Sequence, residues 1–333
     1  MKRALITGIS GQDGTYLAEH LLGLGYEVFG LIRREPQTTR WLQPICDRLE
    51  LVYGDLRDTT SLQVAFRKAW PDEVYNLAGQ VFVPTSWQSP AETVDVNVGG
   101  LARILQIVER EKADTRVYQA SSSEMFGNVD GLCSETTPLN PASPYGVSKL
   151  ASHHLVNVYR NRGMFVVSGI LFNHESPRRG PEMVTRKITR AAAGWLRGDR
   201  QKLRLGNIQA RRDWGYAGDY VRAMHAMLQQ SKPRDFVVGT GKSHSVADFV
   251  QQVLIELRTL AGNGTFGGPI EDYVDVDPRL LRPNEIHDLR ADASSIRKEL
   301  GWDTEVDFAG LVRMMVESDV AVCGELSAAA THA

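Results

Sequence analysis

A chain of 333 residues with 42% hydrophobic residues, 23% charged residues and a formal net charge of -2 has the composition of a soluble globular protein. It is long enough to bury a sizeable core in two lobes, and its near-neutral balance excludes a surface built for nucleic acid or membranes. Cys46, Cys133 and Cys323 are odd in number, far apart and without CxxC or histidine-rich neighbours. This excludes a disulfide framework and a metal site and fits a reducing, cytoplasmic setting. No secretory leader pattern opens the chain, and no apolar run approaches the roughly 18 residues that a membrane span needs.

In chain order, short apolar runs alternate with amphipathic stretches: ALIT, a helix from about Gly14 to Gly25, YEVFGLI, LELVYGD, EVYNLAG, RVYQASS and VVSGILF. Apolar strands separated by helical stretches predict an α/β fold whose doubly wound parallel sheet is covered on both faces. Beyond Gly163 the pattern is less regular, with a helix from about Thr185 to Leu196 and turn-rich pieces. A smaller mixed α/β lobe over the carboxyl ends of the sheet is expected there. Residues 1–165 should carry the dinucleotide and the catalytic groups, and 166–325 mainly the substrate, with some segments returning to the first domain. The Ala-rich end from Gly324 to Ala333 is expected to fray.

Directly after ALIT, the segment Gly8-Ile9-Ser10-Gly11-Gln12-Asp13-Gly14 places glycines at GxxGxxG spacing where the first helix opens. Glycine lets backbone NH groups approach a pyrophosphate, and a helix amino terminus favours anions. In this setting the segment predicts a dinucleotide loop rather than a bare turn. About 20 residues on, where an NAD site places a carboxylate on the ribose, the sequence has Arg33-Arg34, which suits the 2'-phosphate of NADP. Asp55-Leu56 and Leu77-Ala78-Gly79-Gln80 end later strands at positions that line such a crevice.

Strand RVYQA leads into Ser122 and Glu124, two apart and so expected on one side of an extended chain. Tyr145 and Lys149 are four apart and share a helix face. The lysine ammonium and the nicotinamide charge are expected to depress the tyrosine pKa and make it a base. Ser122 would hydrogen-bond the substrate oxygen, and Glu124 would supply a second acid/base group. A simple alcohol dehydrogenase needs no second carboxylate, so elimination or epimerisation is indicated.

At these residues the sequence resembles the extended short-chain dehydrogenases, which have a Rossmann fold, and among them the GDP-mannose 4,6-dehydratase family. The stretches that carry the likeness are TGISGQDGTYLAEHLL, YQASSSEMFG, SPYGVSKL, GILFNHESPRRG, LRLGNIQARRDWGYAGDYV and LRPNE. The resemblance implies a lyase that uses NADP in an internal redox cycle on GDP-mannose, with Ser122, Glu124, Tyr145 and Lys149 as its catalytic set. Threonine is usual at the place of Ser122. The resemblance also implies that His174 and Arg179 contact the cofactor, Arg179 across a tetramer interface, so that a homo-oligomer, dimer or tetramer, is expected. Asn173, Thr185, Lys187, Arg212, Arg282 and Glu285 match substrate-side positions. Their structural alternatives include ion pairs of the arginines with Asp213 or Asp219. Glu92 stands where close family members carry tyrosine, and no role follows for it. Other readings share these residues: a reductase or epimerase of a GDP-linked 4-keto sugar, a dehydratase of another GDP-sugar such as a GDP-heptose, and a non-catalytic NADP sensor.

Overall fold

A computed structural model describes residues 1–33, 40–262, 265–281 and 284–331. Its first part runs β1 (Arg3–Thr7), α1 (Gln12–Gly23), β2 (Glu27–Ile32), β3 (Leu49–Tyr53), α2 (Thr59–Ala69) and β4 (Glu73–Asn76). It continues with α3 (Val83–Gln88), α4 (Pro90–Val94), α5 (Gly100–Glu111), β5 (Arg116–Ala120), α6 (Pro144–Asn161) and β6 (Val166–Leu171). There follow β7 (His174–Glu175), α7 (Val184–Leu196), β8 (Leu203–Leu205), β9 (Arg211–Arg212), β10 (Gly215–Tyr216), α8 (Ala217–Leu228) and β11 (Phe236–Val238). The last elements are β12 (His244–Ser245), α9 (Val246–Ala261), β13 (Val274–Val276), β14 (Asp288–Leu289), α10 (Ser294–Leu300) and α11 (Phe308–Thr331).

The predicted doubly wound sheet is present: seven strands in the order β11-β6-β5-β4-β1-β2-β3, every neighbouring pair parallel. Strand periodicity divides its residues between two cores. Ala4, Ile6, Tyr75, Tyr118 and Val167 pack with α1 and α8, while Leu5, Val74, Val117 and Val166 pack with α2 and α5. Helix α5 shows the matching period, burying Leu101, Ile104, Leu105 and Val108 on one stripe. Because both faces are covered, β4 is buried at all four positions although it reads EVYN.

Past residue 165 the chain rejoins this sheet through β6 and β11, and α8 packs on its first face. The remaining elements form a smaller lobe around a third core, in which Ile188, Ala192 and Trp195 of α7 meet Phe249 and Val253 of α9 and Leu311 and Met315 of α11. Outside the main sheet, the remaining strands form three small sets, β12-β9-β14, β13-β8 and β10-β7. Helix α11 runs to Thr331, across most of the Ala-rich end.

One buried carboxylate fastens the lobe. Asp213, fully buried, accepts from Thr240 N at 2.9 Å, Thr240 Oγ1 at 2.6 Å, Gly241 N at 2.8 Å and Ala291 N at 3.1 Å. Asp213→Ala would leave these donors without an acceptor, and each buried orphan costs about 1–3 kcal/mol. Urea unfolding is expected to show a loss of about 3 kcal/mol or more, with Asp213→Asn in between.

Candidate active site

The glycine loop sits at the switch point between β1 and β4, where a doubly wound sheet opens a crevice at its carboxyl edge. Gly8 adopts a φ of 71°, and a Cβ there would meet Ala78 N at 2.8 Å; a Cβ on Gly14 would meet Gly8 O at 2.3 Å. No other residue type fits either place. The loop, together with Arg33, Asp55, Leu56, the Leu77–Gln80 loop and Arg179, lines a cleft of about 450 Å³. A cradle of bare backbone at a helix amino terminus fits the pyrophosphate of a dinucleotide. Ile9 departs from this set: it is fully buried beneath the loop, in the space that a side chain at Gly30 would take. Its apolar side chain plugs the core instead of facing the cleft. Arg33 is exposed beside Asp55, which is held below the usual carboxylate range mainly by hydrogen bonding to Arg57. Arg34 lies outside the described residues.

The loop is anchored by the stretch that follows β6. His174 Nε2 meets Asp13 Oδ2 at 2.8 Å, its Nδ1 meets the Phe172 carbonyl at 2.7 Å, and its ring stacks on Tyr220 at 4.6 Å. Gln12 adds bonds to the His174 carbonyl and the Ser176 hydroxyl. His174 thus holds the loop, with both ring nitrogens engaged, and lies outside the cleft lining. Burial pushes its pKa down, but the charge and hydrogen bond of Asp13 outweigh burial and raise it; burial raises Asp13, and His174 outweighs that and lowers it.

The fifth strand delivers Ser122 and Glu124, though not along an extended chain: Ser122 caps a short 3-10 turn over Ser123–Met125, its Oγ accepting from Glu124 N at 3.2 Å. The capping folds the turn so that hydroxyl and carboxylate stay on one side. Helix α6 begins opposite, with Pro144 in its first turn and Ser143 Oγ accepting from Gly146 N at 3.1 Å. A Cβ on Gly146 would lie 2.7 Å from the Glu124 carbonyl. That close approach brings Tyr145 to Ser122, which hydrogen-bonds it. Lys149, one turn along, is buried, donates to the Ala120 carbonyl at 2.9 Å and stands 5.7 Å from the Tyr145 ring centre.

The expected depression of the Tyr145 pKa is not what the protein produces by itself. Burial pushes Tyr145 up to about 12; the Ser122 hydrogen bond lowers it and the charge of Glu124 raises it. The Lys149 ammonium is turned to a carbonyl, and burial brings its own pKa down to about 8.

Sequence reasoning missed Asn97. It lies buried on a π-helical turn over Asp95–Gly99, accepts from Gln80 N at 2.8 Å and donates to Gln80 O at 3.0 Å and Ser148 Oγ at 2.9 Å. It therefore joins the cofactor-side loop to the catalytic helix. Nothing in DVNVGG signals this, because a π turn has no sequence period of its own.

On the substrate side, Arg212 is buried and donates to the Ile286 carbonyl at 2.8 Å and to Glu285 at 3.2 Å. Asn128, just beyond the catalytic turn, brackets that stretch by donating to the Glu285 carbonyl and accepting from His287 N, each at 3.0 Å. Thr185 is buried with its hydroxyl on Glu175 at 2.6 Å, and the same carboxylate faces Arg179 at 3.0 Å. Arg179 thus reaches the cleft of its own chain. Asn173 is half-buried, its carbonyl accepting from Gly215 N; Lys187 is exposed on α7. Arg282 lies outside the described residues.

Residues 5–315 match the GDP-mannose 4,6 dehydratase family. GDP-mannose 4,6 dehydratase 2 of Arabidopsis thaliana is 48% identical, covering 96% of this chain and 87% of that protein. The Homo sapiens GDP-mannose 4,6 dehydratase is 42% identical over 95% of this chain and 91% of its own. Among solved structures, dTDP-glucose 4,6-dehydratase DesIV of Streptomyces venezuelae, with NAD and TYD bound, is similar at a TM-score of 0.84 and 25% identity, covering 97% of this chain and 98% of that one. UDP-glucose 4-epimerase of Thermus thermophilus, complexed with NAD, is similar at 0.81 and 26%, covering 95% and 98%.

The His174–Asp13 pair makes a pH prediction. A raised His174 contributes stability below its ordinary value of 6.5 and loses it as pH climbs through the folded value; a lowered Asp13 contributes above 3.8 and loses it as pH falls through its own. The stability difference between the protein and His174→Gln, measured by urea unfolding across pH, is expected to be widest between these values and to narrow above 6.5.

Proposed function

The chain belongs to the GDP-mannose 4,6-dehydratase family, and we propose that it converts GDP-mannose to GDP-4-keto-6-deoxymannose and water as a cytoplasmic, NADP-dependent lyase. The observation that carries this reading is the meeting of Tyr145, Ser122 and Glu124 beside the glycine cradle, with buried Lys149 one helical turn away. A base for an alcohol and a separate carboxylate suit oxidation followed by elimination.

A dinucleotide held by the glycine loop, Arg33 and Arg179 would supply a hydride acceptor for carbon 4 of the sugar, a hydride donor for carbon 6 and positive charge beside Tyr145. The protein's own groups move the protons. Tyr145 Oη takes the 4-hydroxyl proton, with Ser122 Oγ orienting the same oxygen. Lys149 Nζ, brought down to about 8 by burial, holds or releases a proton near neutral pH. The 4-ketone acidifies the carbon 5 proton, which Glu124 removes. The carbon 6 hydroxyl leaves as water with the proton that Glu124 took from carbon 5, and Glu124, recharged with the 4-hydroxyl proton that Tyr145 had taken, returns a proton to carbon 5. One water is lost and the cofactor ends as it began.

Arg33, at the end of β2, favours NADP by offering a cation to a 2'-phosphate. On the substrate side, Arg212, Lys187 and Arg282 supply cations for the diphosphate, Glu285 accepts from guanine, and Asn173 and Thr185 complete the pocket. Arg179, held by Glu175, reaches the cofactor from its own chain or, in a homo-oligomer, a neighbouring one.

Incubation with GDP-mannose and catalytic NADP is expected to give a product lighter by one water with no net absorbance change at the reduced-nicotinamide band. Stoichiometric NADPH consumption on a 4-keto sugar would overturn the reading in favour of a reductase. Tyr145→Phe is expected to lose about 10²–10⁴-fold in kcat. Glu124→Gln should build up reduced cofactor without releasing water; full turnover by that variant would remove Glu124 from the elimination step.

A further inference from the structure

Arg57 and Glu92 both line the cleft, from separate elements. Arg57 follows β3, as does Asp55, and Glu92 lies on α4, beyond the loop that follows β4. Asp55 grips Arg57 from its own side: Arg57 Nε and Nη2 donate to its two carboxylate oxygens at 3.1 and 2.9 Å. A guanidinium held by a two-point bond on one side has little freedom left, and its remaining arm is aimed by that bond. That arm, Nη1, reaches Glu92 Oε1 at 3.3 Å. The chain Asp55–Arg57–Glu92 therefore bridges the two elements, and the Leu77–Gln80 loop lines the same cleft.

Its place along the cleft follows from the sheet. A dinucleotide crossing the β1/β4 switch point lays its adenosine toward the ends of β2 and β3. Arg33, Asp55 and Arg57 stand there, so the bridge crosses the adenosine end and not the chemistry. A carboxylate in a cleft built for a polyanion would repel its ligand unless its charge were met by a cation, and Glu92 is met by Arg57. Both side chains keep contact with water, at 44% and 59% exposure. An ion pair so exposed is weak and breaks readily, which suits a closure that must open.

We propose that the Arg57–Glu92 pair is a latch over the adenosine end of the bound dinucleotide and slows its release. The proposal rests on the dinucleotide reading given above. A cycle that returns its cofactor unchanged gains from such retention, since the same molecule serves both hydride transfers.

The test is dinucleotide release without any sugar, so that it is independent of the dehydratase assignment. Protein loaded with NADPH is chased with excess NADP in a stopped-flow instrument, and the loss of bound-NADPH fluorescence gives the release rate. Glu92→Gln is expected to release about two- to fivefold faster than the parent, the range an exposed pair supports. Glu92→Lys, which sets a cation against Arg57, is expected to be faster still. Both differences should collapse near 1 M salt, where the screening length is about 3 Å. Release from Glu92→Gln at the parental rate would overturn the latch, and slower release would show that Glu92 acts only by repelling the ligand's phosphates. Failure of the parent protein to bind NADPH would overturn the dinucleotide reading itself, and the latch with it.

Discussion

The contact on which the site depends is the approach of Gly146, in the first turn of α6, to the carbonyl of Glu124. Only a residue without Cβ can stand there, because a Cβ would lie 2.7 Å from that oxygen. Everything reactive is placed by it. The helix start carries Tyr145, the turn carries Ser122 and Glu124, and their mutual distance is set by two backbones in contact, more stiffly than flexible side chains would set it. Ser143 and Ser122 fix the two partners by capping, each hydroxyl accepting a backbone NH of its own turn. Ser122 thereby has two occupations, a structural cap and a partner of the tyrosine.

A second set of contacts makes the two lobes one machine. Asp13 opens α1 beside the glycine loop, and its partner His174 belongs to the stretch that leaves β6 for the smaller lobe. Next to it, Glu175 holds Thr185 at the start of α7 and faces Arg179 in the cleft. On the opposite side, Asn128 clamps the backbone around Glu285 directly after the catalytic turn. Residues on the cofactor side and on the substrate side therefore share anchors a few residues long. A shift of the smaller lobe would be felt at the loop and at the turn together.

Electrostatics divide the labour in the same way. Burial alone would disable both members of the Tyr145–Lys149 pair, raising the phenol to about 12 and lowering the ammonium to about 8. The two values move apart from their ordinary 10.0 and 10.5, so a proton passes from the phenol to the amine only at a higher free-energy cost than between their forms in water. On the function proposed, the positive charge of the bound dinucleotide offsets that cost. A base that is held neutral until its cofactor arrives is protected from idle ionisation.

The sequence by itself determined the doubly wound sheet, the glycine loop after β1 and the i, i+4 pair Tyr145 and Lys149. These are local facts: apolar periodicity, glycine where backbone must approach backbone, and helical spacing are all written within a dozen residues. It also carried the family likeness in NHESPRRG and LGNIQARRDWG. Tertiary structure alone decided what those residues touch. Ile9 reads as part of a phosphate loop and turns out to plug the core. His174 grips Asp13, 161 residues away in the chain, with its ring nitrogens both engaged. Asn97, Arg57 and Glu92 carry no motif, because their roles come from a π turn and from two elements of a cleft meeting across space. The pKa of Tyr145 could not be read either. Spacing places a lysine beside it, but burial, which no local pattern records, sets the direction of the shift.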